Sequence, residues 1–185
     1  FVDLNHDDVI RTPNLGSATG LSDLHFASSA MTADVLVSIP KMKTHHWLGI
    51  SLSLKSMFGT LSGAVYGWPR NHFHKLNPQY AVFDFNRTRT PDYCIVDGVV
   101  AMQGDGPIRG TALDAGVLVF GDSATAVDAT CARIMQVAPE RVTYLRLAAG
   151  ILGPIQEKHI EQRGEAIASV ARPFELVEHL QILRA

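Results

Sequence analysis

The sequence predicts an α/β domain in which a mixed or mainly parallel β-sheet is flanked by helices. Two observations carry this. Apolar, β-branched runs recur at residues 35–39, 93–96 and 115–120, and amphipathic stretches of helical spacing begin near Asn77 and Asp122. Each run is followed by a residue that ends or turns a strand, namely Pro40, Gly98 and Gly121.

In chain order, residues 1–5 alternate apolar and polar and read as a short strand, and the acidic pair Asp7-Asp8 that follows reads as a solvated turn. Residues 12–20, with Pro13, Asn14, Gly16 and Gly20, read as a loop. Residues 21–33 are ambiguous: Leu24, Ala27 and Met31 have helical spacing, but the serines and threonines among them weaken a long helix.

Residues 35–39 are apolar on both alternating faces, as in a strand covered on both sides. Pro40 cannot donate to a sheet ladder, so the chain is expected to leave the sheet there and to present Lys41, Lys43, Thr44, His45 and His46 at the strand's carboxyl end. Open α/β sheets bind ligands at that end. Residues 48–58 fit either alternation or a helical face. Lys55 lies inside this apolar stretch, where its stem snorkels to the surface or its ammonium meets an anion.

A glycine-rich stretch with Tyr66 and Trp68 leads to His72 and His74, which would share one side of an extended segment at a spacing compatible with metal ligation. Asn77-Pro78 is a helix start, with Ala81, Val82 and Phe85 on one face and an end near Arg87.

The strand at 93–96 is expected to close at Asp97-Gly98, delivering a carboxylate where the first run delivers lysines. The following Gly104-Asp105-Gly106-Pro107-Ile108-Arg109-Gly110 departs from a dinucleotide fingerprint, because its third glycine comes one residue late and a strand follows. A ligand-wrapping loop charged by Arg109 and a tight structural turn both fit it. After the strand at 115–120, Val127, Cys131, Ile134 and Met135 form a helical stripe, with Asp128 beside it as a structural hydrogen-bonder or a site carboxylate. Residues 143–149 read as a short helix, 160–167 as a strand pair, and 174–183 as a closing strand or helix.

The 185 residues suit a single domain. With 16 Lys plus Arg against 18 Asp plus Glu, no global field favours nucleic acid or an acidic membrane, so any anion site is local. No apolar run approaches the roughly 20 residues that span a bilayer, so membrane insertion is not expected. Cys94 and Cys131, far apart in apolar segments, read as buried thiols of a reducing compartment, which suggests a cytoplasmic address. The hydrophobic content of 46% implies surface facing another domain or subunit, as in a homo-oligomer. The first residue is Phe1, which points to a fragment lacking upstream chain.

Three functions compete. The first is an enzyme or ligand-binding domain for a small anionic molecule: Lys41, Lys43 and Lys55, with Arg109, hold the anion, His45 or His46 exchanges protons, and Asp97, Asp105 or Asp128 orients the histidine or ligates a cation. The second is a divalent transition-metal site drawing on His45, His46, His72, His74 and an aspartate. The third is a non-catalytic scaffold docking an electron-transfer module or partner subunit through Trp47, Tyr66 and Trp68.

The stretches IPKMKTHHWLGISLSLKSMFG, YGWPRNHFH, IVDGVVAMQGDGPIRGT and VLVFGDSATAVDATCARIM together resemble the family known as domain of unknown function 362, over roughly residues 33–153. The resemblance implies further chain upstream. It also implies that many relatives carry a cysteine-rich, ferredoxin-like segment for iron–sulfur clusters and that some are exported. This sequence departs from that pattern, because two separated cysteines cannot supply four thiolates and no iron–sulfur cluster is expected within the chain.

Overall fold

A computed structural model describes residues 1–67 and 71–184; Trp68 lies outside the described residues. Residues 1–5 are irregular rather than a strand. The first regular elements, β1 (Val9–Pro13) and β2 (Asp23–Ala27), form an antiparallel pair closed at its end by Arg11 on Asp23 at 2.6 Å. The ambiguous stretch 21–33 therefore divides into β2 and a single helical turn, α1 (Ser28–Thr32).

The main sheet is mixed. It comprises β3 (Val37–Ser38), β4 (Lys41–His45), β5 (Gly49–Ser51), β6 (Tyr93–Asp105) and β7 (Arg109–Gly121). Strand β6 is its spine: β3 and then β4 run parallel to one edge of it, β7 runs antiparallel along the other, and β5 folds back on β4.

Pro40 does not take the chain out of the sheet. Its carbonyl accepts from the Asp97 amide at 2.9 Å, so the missing donor costs one rung and pairing resumes at Lys41. Nor does Asp97-Gly98 end β6. The strand instead shifts register between Gly98 and Val100, where a Cβ on Gly98 would stand 2.9 Å from Val117 Cγ2 and 3.1 Å from Met42 Cε. The glycine-rich stretch 104–110 is the tip of the β6–β7 hairpin.

One face of the sheet is covered by α2 (Ser53–Ser56) and α6 (Ala124–Ile134); α5 (Pro78–Thr88) packs on α2, α4 (Asn71–Leu76), which follows α3 (Gly63–Tyr66), packs on α5, and α7 (Thr143–Ala148) packs on α5 and α6. Helix α5 starts as its sequence predicts: Asn77 Oδ1 accepts from the Gln79 amide at 3.0 Å and Pro78 fills the first position. Ser123 caps α6 likewise, accepting from Ala126 N. Leu54, Phe85, Val96, Cys131 and Tyr144 belong to the shared core.

Asp84, on α5, is fully buried and holds the loop that precedes β2. Its carboxylate accepts from Ala18 N, Thr19 N, Thr19 Oγ1 and Asn14 Nδ2. Residues 160–165 form no strand pair; a short helix, α8 (Ile167–Val170), follows, and the chain closes with a 3-10 helix at Glu178–Leu183.

Candidate functional site

His45, His46 and Trp47 leave the end of β4 and enter a tight turn at Gly49, whose φ of +83° is one that residues with a Cβ rarely adopt. A Cβ there would also run into Leu183 Cδ1. The turn is held from three sides. His46 N donates to Gly106 O at 2.9 Å on the hairpin tip, and His179 Nε2 lies 2.9 Å from His46 O. Gln79 Nε2 reaches the carbonyls of Trp47 and Leu48, both at 3.4 Å. Thr44 Oγ1 adds a bond to Gly104 O at 2.8 Å.

Around this turn the fold gathers cationic and imidazole groups. His45 is buried, and its ring lies 5.0 Å from that of His46. Its Nδ1 accepts from Trp47 N at 3.1 Å, which leaves the ring proton on Nε2. Burial first, then Lys55, His46, Lys43 and His74, push the His45 pKa down to about 3, so the ring is a neutral donor near pH 7. His74 is lowered by the same causes, burial and then Lys55 and His46. Lys43 is half-buried and its pKa falls through desolvation. Lys55 Nζ sits 4.7 Å from the centroid of the Phe58 ring.

Asp105 is the carboxylate that joins this group, with Oδ1 3.4 Å from His46 Nδ1. Both residues, with Ile108 and Arg109, line a cavity of about 340 Å³.

Other aspartates singled out in the sequence serve elsewhere. Asp97 pairs with Lys41 at 2.5 Å, both partly exposed, and Asp97 Oδ1 also accepts from Val99 N. Asp128 is fully buried. Its two oxygens accept from the Ser53 and Leu54 amides at 2.8 and 2.9 Å, pinning the start of the turn that carries Lys55. Burial pushes its pKa up to about 7 against those two bonds. Asp128 is thus a structural hydrogen-bonder, and neither it nor Asp97 orients a histidine of the turn.

His72 and His74 are not in an extended segment. Both lie on α4, where positions two apart diverge, so His72 stacks on Tyr66 while His74 packs against Trp47 and Phe58. Among the described residues no group of three or more His, Cys, Asp or Glu is arranged to hold a metal ion. The bracing residues Gln79 and His179 carry no local sequence signal, since each is an isolated polar residue far along the chain from the turn it holds.

Fold and site together define an α/β domain with a basic, imidazole-lined turn at the end of a parallel strand. The chain belongs to the family described as Domain of unknown function (DUF362), which matches residues 1–133. It is 29% identical over 126 residues to a thylakoid-associated protein of Synechocystis sp. (strain ATCC 27184 / PCC 6803 / Kazusa), covering 64% of this chain and 38% of that protein. The chain thus matches well under half of that relative's length. No solved structure matches. Among the described residues no helix is long and apolar enough to cross a membrane.

Proposed function

We propose that this domain binds a small anionic molecule, a phosphate or carboxylate, at the turn that carries His45 and His46. The observation that carries the reading is the crowding of Lys43, His45, His46, Lys55 and His74. Lys55, His46, Lys43 and His74 all make protonation of His45 harder, and Asp105 stands within ion-pair distance of His46. An ammonium held at the cost of desolvation, as that of Lys43 is, is stabilised when an anion joins it. In this reading Lys43 and Lys55 supply charge, the Nε2–H of neutral His45 supplies a fixed hydrogen bond, and Arg109 faces the ligand across the cavity it shares with His46. His46 beside Asp105 is the imidazole–carboxylate pair through which a proton could be exchanged with the ligand.

Titration calorimetry with inorganic phosphate and with acetate tests this. Lys43→Gln is expected to weaken binding by about tenfold, equivalent to about 1.4 kcal/mol, and to leave the far-ultraviolet spectrum unchanged. No heat with either anion, or equal affinity in the variant, overturns the proposal.

A further inference from the structure

Strand β3 has the sequence of a strand covered on both sides, and the structure covers only one of them. Ser38 is buried towards Ser53 on α2, whereas Val35, Val37 and Ile39 are 64%, 42% and 67% exposed. The exposed row continues in register across the neighbouring strands. Val37 is paired with Tyr93, Ile95 with Phe120 and Asp97 with Leu118, so these side chains share one face of β3, β6 and β7. Tyr93, Leu118 and Phe120 are also exposed, at 36%, 56% and 64%.

The centre of this face is uncharged. Its margin is polar, with the Lys41–Asp97 pair at one side and Arg89–Asp92 near another. An apolar centre with a polar rim is the anatomy of a protein interface. Parallel strand pairs such as β3–β6 are also seldom left bare on one side.

We infer that this open sheet face is a self-association surface, on which a second copy of the chain packs face to face about a twofold axis. Three arguments favour a second copy. An uncharged face of Val, Ile, Tyr, Leu and Phe is complementary to itself, as an isologous contact requires. The side chains expose on the order of 600 Å², the upper end of what a monomer's largest apolar patch reaches. With the rim, the footprint approaches the roughly 800 Å² per partner of a stable interface. Face packing is also favoured over extension of the sheet by edge pairing. Residues 160–165 stand beside the outer edge of β7 across a groove of about 720 Å³, where a second strand would have to enter. Two such faces pack about 10 Å apart with strands crossing near 30°, which lets the Phe120 and Val37 rows of one copy interdigitate with those of the other.

Sedimentation velocity from 1 to 100 µM tests the inference. The wild-type chain is expected to sediment as a dimer, and Phe120→Asp and Val37→Asp, each on an exposed position, are expected to shift it to monomer with an unchanged far-ultraviolet spectrum, and the melting temperature of the wild type alone is expected to rise with concentration. A monomeric wild type at 100 µM overturns the inference, as does a dimer that survives both substitutions.

Discussion

His46 Nδ1 stands 3.4 Å from Asp105 Oδ1, and the amide of the same histidine donates to the carbonyl of Gly106, the residue after that aspartate. Backbone and side chain thus hold the pair in one register, and the hairpin tip supplies the counter-charge of an otherwise basic site. Neutralising that counter-charge in Asp105→Asn is expected to strengthen phosphate binding about threefold to tenfold, read by calorimetry at low ionic strength, where exposed charges are least screened.

Under the proposed function, Lys43 trades stability against binding. Its ammonium is desolvated by burial, and among the described residues it has no ion-pair partner. Lys43→Met is expected to raise the melting temperature by about 2–4 °C, the shift that about 1 kcal/mol produces in a domain of this size, while phosphate affinity falls about tenfold. Differential scanning calorimetry with and without phosphate separates the two effects.

The depressed pKa of His45 predicts a pH signature. Its folded value of about 3 lies below the ordinary 6.5, so the unfolded chain takes up this proton first. Stability from this group is complete above about pH 6.5 and is lost as pH falls towards 3. Urea unfolding at pH 7, 6 and 5 is expected to show a shallower loss on acidification in His45→Gln than in the wild type.

Asp128 acts with the opposite slope. Its folded pKa of about 7 lies above the ordinary 3.8, so the folded chain keeps a proton that the unfolded chain releases. Its contribution is complete below about pH 3.8 and is lost as pH rises to 7. In Asp128→Asn the fall in stability between pH 5 and 7 is expected to shrink in the same urea series. Asp128→Ala strips the buried Ser53 and Leu54 amides of their acceptor and is expected to cost about 2–4 kcal/mol.

Gly49→Ala joins a strained φ to a clash with Leu183, so a loss of about 1–3 kcal/mol is expected. Because the distortion falls on the turn that carries His46 and Trp47, phosphate affinity should fall with it.

Elements whose information is local were legible in the sequence. The Asn77-Pro78 start, and the stripe through Val127 and Cys131 beginning near Asp122, specify α5 and α6 without reference to the rest of the chain. Strand ends were not, because Pro40 and Gly98 end a strand only where no neighbour compensates. Here β6 takes the Pro40 carbonyl, and β7 closes over Gly98. The basic turn was legible as a cluster of residue types, since Lys43, His45 and His46 are close along the chain. Which carboxylate meets it was not: Asp97, Asp105 and Asp128 look alike in sequence, and the parallel register of β4 on β6, with Lys43 opposite Met102, brings Asp105 to His46.

The matched family segment stops at residue 133, yet the turn carrying the histidines is gripped from beyond that point, by His179 on the His46 carbonyl and by Leu183 against Gly49. Leu183 is itself tied to Ala138 by a backbone bond. A piece cut at the homology border would therefore keep every basic residue of the site and lose part of the clamp that aims it. An expressed piece has to extend at least through Leu183 if the turn is to keep its second grip.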